Sequence, residues 1–395
     1  MIRFKNIFKA TAVTLAGTVL LVGCGTRLNE GASIVEKEIH KEKQEVINLS
    51  INAFGDLLIH NSVYDAAKVD NTYDFTKQFE DIKDKITDAD YTIGNLEVPI
   101  GKNDFSNYPS FRAPWQLAKT MKDVLDVELL ATASNHTLDK GFKGLKTTLD
   151  CLDELGIKHI GSYRTEEESK DILIEDINGA MVAFVAYTYG TNGYPIPKDN
   201  PSAVNLINKD KIKADTSKAK KLGADFIVVK MHWGEEYQLN ENNYQKELAK
   251  FIFEETDANL IIGDHPHVVQ NVEKINVMKD GVEKSGVVAY SLGNFMSGQD
   301  KEYRDTGSIM KFNIKVDKEN PENTGVESIQ HTPVFVDRNL SSTGRRYRII
   351  DINKGISDYN TGRDNLISKE EYNKLVKYRN YYRDKLNLDG FISEY

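Results

Sequence analysis

Five of the eight histidines, His60, His136, His232, His265 and His267, stand shortly after short apolar runs, and carboxylates and carboxamides accompany them. Leu49 to Phe54 is followed by Gly55-Asp56 and then His60. Tyr91 to Ile93 runs into Gly94-Asn95-Leu96-Glu97, and Glu128 to Ala133 leads to Ser134-Asn135-His136 with Asp139. The pattern returns with His232-Trp233-Gly234, with His265-Pro266-His267 and with Gly293-Asn294. Taken singly, each piece has an ordinary reading as a turn, a helix cap or a satisfied core histidine. Taken together they offer imidazole nitrogens, carboxylate oxygens and a carboxamide oxygen, a mixed shell that suits Zn, Mn or Fe. No thiolate joins them, so the pattern is not that of a structural zinc knot. An open site of this kind serves catalysis or ligand capture. Two ions about 3.5 to 4 Å apart would clamp both oxygens of a displacement at phosphorus, and a histidine beside them would protonate the leaving group.

Such residues meet only if the elements before them lie side by side. The apolar runs at Leu49–Phe54, Tyr91–Ile93, Glu128–Ala133, Met181–Tyr187, Phe226–Met231, Asn259–Ile262 and Val287–Ser291 predict strands. Helical periodicity lies between them at Thr76–Ile86, Pro114–Leu125, Gly141–Leu155, Lys209–Leu222 and Tyr244–Glu255. Pro114 suits a first helical turn, and Gly156 and Gly223 suit helix ends. This alternation predicts an α/β fold, a sheet layered with helices. In open sheets of that class ligands bind beyond the carboxyl ends of the strands, where all six clusters fall. Cys151 lies in the periodic run Leu145, Leu149, Leu152 and Leu155 and reads as a small buried hydrophobe.

The chain has 395 residues and a formal charge of -9, which disfavours general nucleic-acid binding. Residues 1–23 hold Arg3, Lys5 and Lys9 and no acid, so the remainder is more acidic still. That stretch is a basic start, an apolar run from Ala10 to Val22 and a small-residue cut site, the layout of an export signal rather than a spanning helix. Leu21-Val22-Gly23-Cys24 resembles the bacterial lipobox, in which the cysteine becomes the lipid-modified first residue. With only two cysteines and Cys24 so used, a disulfide framework is not expected. Residues 24–48 are rich in Glu and Lys and read as a solvated, lipid-anchored tether, 49–337 as the main domain and 338–395 as a partly helical extension. In that extension Tyr372, Tyr378, Tyr381 and Tyr382 read as a packing stripe. Arg338, Arg345, Arg346 and Arg348 read as a solvated strand edge or, less simply, as a contact for a polyanion.

From Leu49 to Val336 this ordered series resembles the bacterial CapA family of capsule biosynthesis, specifically poly-γ-glutamate synthesis and export. The motifs that carry it include Asn95-Leu96-Glu97, Asn135-His136, His232-Trp233-Gly234-Glu235-Glu236-Tyr237, His265-Pro266-His267-Val268 and Tyr290-Ser291-Leu292-Gly293-Asn294-Phe295. The resemblance implies a calcineurin-like metallophosphatase fold, a four-layer sandwich of two mixed sheets flanked by helices, with a small C-terminal helical appendage. It implies Asp56 and His267 as ligands of a first metal, Glu97 as a bridge, and Asn135, His232 and His265 as ligands of a second. It implies His136 as the acid, with Asp139 orienting it. Phosphoesterases of this fold usually open with Asp-x-His, whereas Asp56 is followed by Leu57 and Leu58, which leaves the first metal one ligand fewer. The implied role is a membrane-anchored, extracytoplasmic accessory of capsule synthesis, with the polymer and a membrane synthesis complex as partners. An active metal-dependent hydrolase is the alternative. A solute-binding lipoprotein fits less well, because no duplicated lobes are evident.

Overall fold

The computed structural model describes residues 46–395 apart from 280, 339, 342–343 and 387–389. The expected signal segment, Cys24 and the expected tether as far as residue 45 lie outside the described residues. The folded chain enters its first strand at Val46, three residues before the expected domain boundary.

In chain order the strands are β1 (Val46–Leu58), β2 (Tyr91–Asn95), β3 (Leu129–Ala131), β4 (Lys158–Ile160), β5 (Leu173–Ile177), β6 (Ala180–Thr188), β7 (Phe226–His232), β8 (Leu260–Asp264), β9 (Val272–Lys279), β10 (Val282–Ala289), β11 (Asn294–Ser297), β12 (Thr306–Asp317), β13 (Gly325–Asp337), β14 (Arg348–Asp351) and β15 (Ile392–Glu394). The helices that matter here are α1 (Gln116–Asp123), α2 (Gly141–Glu154), α3 (Lys209–Lys221), α4 (Asn243–Glu255), α5 (Ile352–Asn360) and α6 (Lys369–Leu386). One sheet runs β14-β13-β12-β1-β2-β3-β4, with β11 beside β1 and β15 beside β13. The other runs β9-β10-β8-β7-β6-β5. Both are mixed: β1 to β4 are parallel to one another, as are β6, β7, β8 and β10, and antiparallel strands complete each sheet.

The side-chain period of two decides how the layers stack. In β6, Val182, Phe184 and Ala186 point between the sheets, where they meet Ile51, Ile93, Val228, Ile262 and Phe312. Alternate residues Ala183, Val185 and Tyr187 point outward onto α3 and α4 through Ile212, Leu248 and Phe253. On the far side Phe54, Leu57 and Phe295 pack against Leu117 and Met121 of α1 and Leu152 of α2. Strands covered on both faces read as near-continuous apolar runs for this reason. The result is the expected four layers, helix, sheet, sheet, helix. Each such Leu, Ile or Phe contributes about 1.5–3 kcal/mol by leaving water. Cys151 is buried in the outer core with a free thiol.

Several expected elements differ in detail. Residues 76–86 form three short turns rather than one helix, although Phe75, Phe79, Ile82 and Ile86 keep a single buried face. Pro114 sits in a two-residue strand pairing with Ile100–Gly101, and the helix starts at Gln116. The long antiparallel pair β12 and β13 was not among the expected strands. Residues 338–395 supply α5 and α6 and also two strands of the larger sheet. Two of the four arginines read as a solvated edge or polyanion contact are paired instead: Arg348 is buried against Asp337 and Asp364, and Arg346 also reaches Asp337.

Candidate metal centre

Both sheets present the carboxyl ends of their parallel strands at one edge, and the polar clusters of the sequence sit there. Asp56 occupies a break in the β1 ladder, level with Asn95 of β2 on one side and Asn294 of β11 on the other. Its N–H donates to Gly293 O at 2.9 Å. A Cβ on Gly55 would stand 1.9 Å from that same oxygen, so this close approach requires glycine. In the second sheet His232 ends β7 level with Asp264 at the end of β8. The chain then turns through His265 and His267, which hold φ of +96° and +58°. Such left-handed backbone is costly for residues with a Cβ and clusters at functional sites. The segment is braced by Tyr237, whose N–H donates to Pro266 O at 2.8 Å.

These turns bring Asp56, Glu97, Asn135, His232, His265 and His267 into one buried group. Donor atoms of Glu97, His265 and His267 lie within 4.8 Å of one another. Glu97 Oε1 is 3.6 Å from His267 Nε2 and 3.8 Å from His232 Nε2. His232 Nε2 is in turn 2.8 Å from Asn135 Oδ1. Asp56 is used differently: Oδ1 accepts from Asn95 Nδ2 at 2.7 Å, while Oδ2 accepts from the His265 N–H at 3.3 Å and from His267 Nδ1 at 3.1 Å. In this structure Asp56 therefore orients His267 and leaves its Nε2 facing Glu97, the carboxylate–imidazole arrangement that supports metal-ligating histidines. His136 stands at the edge, its Nδ1 2.8 Å from Asp139 Oδ2, and Asp139 also accepts from the Phe111 N–H at 2.7 Å. His60 lies apart, its Nδ1 accepting from the Gly298 N–H at 3.1 Å.

The electrostatics single out the same atoms. Burial, then the neighbouring Asp56 carboxylate, pushes the Glu97 carboxyl well above the usual range. Burial holds His232 well below its usual value and takes His265 down to about 3, so both imidazoles are neutral and keep a lone pair to offer. Both Glu97 oxygens and His265 Nδ1 are buried without a hydrogen-bond partner among the described residues. Native interiors rarely leave such atoms orphaned. A divalent cation in an N/O shell is the kind of group that these acceptors fit. When bound, it would act as a Lewis acid toward a phosphoryl or carbonyl oxygen. The chain's own contribution is to fix the donors on rigid strand ends, to exclude water around Glu97, and to hold the His136 ring against Asp139 at the edge of the group.

Some of the surroundings went unassigned in the sequence. Asn95 and Asn294 stand in the quoted motifs without a role. Here Asn95 grips Asp56, and Asn294 Oδ1 sits 3.2 Å from His267 Nδ1. Lys230 and Asp264, 2% and 1% exposed, form an ion pair on the inward faces of β7 and β8. Despite Lys230, burial takes the Asp264 carboxyl up to about 7. Their signal was readable, as charges at inward positions of otherwise apolar strands. Asn192, whose Oδ1 accepts from Asn135 Nδ2 at 3.3 Å, and Tyr189, tilted against the His265 ring with centroids 4.5 Å apart, come from a loop with no such signal.

Residues 50–299 match the model of the family described as bacterial capsule synthesis protein PGA_cap. The chain is 28% identical over 317 residues to the "Capsule biosynthesis protein CapA" of Bacillus anthracis, covering 78% of this chain and 72% of that one. It is 28% identical over 275 residues to the "PGA biosynthesis protein CapA" of Bacillus subtilis, covering 68% of each. Among solved structures it resembles a 5'-nucleotidase precursor from Thermus thermophilus at 13% identity and TM-score 0.45, covering 73% of this chain and 54% of that one. It also resembles the NAD nucleotidase of Haemophilus influenzae at 13% and 0.47, covering 86% and 61%. A third is the calcineurin-like phosphoesterase YfkN of Bacillus subtilis, at 14% and 0.40, covering 85% and 99%. The chain thus spans less than two thirds of the two nucleotidases. The family model covers the strand ends from β1 to β11 and with them the whole buried donor group, and the chain belongs to the bacterial capsule synthesis family PGA_cap, that of the CapA proteins.

Proposed function

We propose that this chain is an exported lipoprotein, anchored through Cys24 to the extracytoplasmic face of the cell membrane, that serves the synthesis or export of a poly-γ-glutamate capsule. It works beside a membrane synthesis complex and binds one or two divalent ions, Mn, Fe or Zn, at the strand-end cluster. The observation that carries this reading is the family match over residues 50–299, which contains every metal-facing residue described above. The lipobox-like Leu21-Val22-Gly23-Cys24 supports the anchor. No helix of the described residues is long and apolar enough to cross a membrane. Complementation tests it: in a capsule-forming host lacking its own CapA-type protein, the chain restores cell-bound polymer, whereas Cys24→Ala and the double variant His265→Ala/His267→Ala do not. Full restoration by either variant would overturn the corresponding half of the reading.

One observation favours a second reading, a metal-dependent hydrolase. His136 is held at 2.8 Å by Asp139 beside the metal group, the placement of a general acid toward a leaving-group oxygen. The purified chain with Mn, Fe or Zn then turns over an aryl phosphate, and His136→Ala abolishes it. Absence of turnover with all three metals rejects this second reading and leaves the accessory role standing.

A further inference from the structure

A groove of about 600 Å³ opens outward from the metal centre, with His265 in its inner wall. Its sides carry Tyr189, Tyr237, Tyr244, Glu235 and Glu236, and no lysine or arginine lines it among the described residues. Tyr189 and Tyr244 are 45% and 51% exposed, an unusual amount of open aromatic surface for one depression. Glu235 and Glu236 face solvent and have no ion-pair partner among the described residues. Arg304 sits over Tyr237, its guanidinium carbon 3.3 Å from the ring centroid. One ring of this wall thus already receives a cation, whereas no cation–π partner covers Tyr189 or Tyr244 among the described residues. Buried His265, already counted among the metal donors, marks where the groove meets that site.

The chemistry of the walls selects the occupant. Aromatic faces carry negative charge density and attract ammonium groups, and two exposed carboxylates, of which Glu236 also accepts from the Tyr237 side chain, add Coulomb attraction and charge-assisted hydrogen bonds. The same carboxylates repel the carboxylate-bearing interior of a polyglutamate chain. A γ-linked polymer has one cationic group, the ammonium at its amino end, carried on the same carbon as a free carboxylate, so the end unit bears no net charge where each interior unit bears one negative charge. We propose that the groove takes this terminal ammonium, so that the polymer meets the metal centre amino end first and the protein reads the direction of the chain. The inference rests on the capsule reading for the identity of the polymer and on the groove alone for the charge of what enters it.

The test uses the purified, metal-loaded full chain and a γ-linked glutamate decamer labelled at its carboxyl end, read by fluorescence anisotropy. The probe is compared with its amino end free and acetylated. Acetylation is expected to weaken binding about tenfold, the scale of a desolvated cation on aromatic and acidic partners. Tyr244→Ala and Glu235→Gln/Glu236→Gln are expected to lower the free form to the level of the acetylated one, with bound metal unchanged by elemental analysis. Equal affinity of the two probes, or a preference that survives both variants, overturns the inference while leaving the capsule reading intact. If neither probe binds, the capsule reading loses its ligand and the groove is judged with trilysine. Binding lost in Glu235→Gln/Glu236→Gln then upholds the ammonium chemistry, and absence of binding overturns it.

Discussion

Two buried polar regions of this molecule lie a few residues apart along β11 and β12 yet are built on opposite rules. Beneath α6, Asp305, Thr306, Ser308 and the hydroxyls of Tyr378 and Tyr382 all find partners. Tyr378 donates to Asp305 at 3.0 Å and accepts from the Tyr303 N–H at 3.2 Å, Lys374 pairs with Asp305, Tyr382 meets Thr306, and Ser308 lies 2.8 Å from His331. At the metal centre Glu97 and His265 keep buried atoms with no partner among the described residues. Burying polar groups is inexpensive when each finds a hydrogen bond and costly when it does not. The carboxylate at the centre of the first region, Asp305, is held by Lys374 and Tyr378, whereas the carboxylate at the centre of the second, Glu97, has both oxygens without a partner among the described residues. Satisfaction, rather than polarity or burial, tells the two apart.

Three experiments sharpen or break that contrast. The largest effect is expected under α6, where Tyr382→Ala removes a fully buried ring and should cost about 4 kcal/mol by chemical denaturation, with or without metal. A metal-dependent cost would place α6 in the site after all. Next comes acid. Burial holds His331 neutral down to about pH 4, whereas an unfolded histidine takes its proton near 6.5. Between those values the unfolded state binds the extra proton, so stability falls as pH falls, by roughly 3 kcal/mol through this residue alone. Denaturation from pH 7 to 4 should show that loss, and His331→Gln should shrink it; an unchanged acid slope in the variant would assign the loss elsewhere. The smallest effect is the metal itself, expected to stabilise the parent by about 2.7 kcal/mol at a hundredfold excess over its dissociation constant. Calorimetry should find that gain absent in Glu97→Gln, whose metal-free stability stays within about 1 kcal/mol of the parent. A gain retained in Glu97→Gln would remove Glu97 from the ligand group.

Much of the architecture was legible because strand packing leaves a period. The runs that became β6, β7 and β8 are apolar at consecutive positions, as covering on both faces demands. The same rule was available for β12, where Met310, Phe312, Ile314 and Val316 point between the sheets and Lys311, Asn313 and Lys315 point away. That alternation is half-polar, and so it stood out less than the apolar runs did. The turns at 76–86 kept a helical spacing of apolar residues without one continuous helix. Periodicity reports which face is buried and does not report where hydrogen bonding breaks.

By itself the sequence determined the layered class, the inventory of imidazole, carboxylate and carboxamide donors, and their places at the ends of apolar runs. These follow from local composition and spacing. Tertiary structure alone decided that Asp56 holds His267 across 211 residues, that the turn at His265 and His267 is left-handed, that Lys230 meets Asp264, and that three tyrosines share a groove with Glu235 and Glu236. Each depends on which strands lie side by side and at what register. That is settled by the joint packing of two sheets rather than by any residue's own preference.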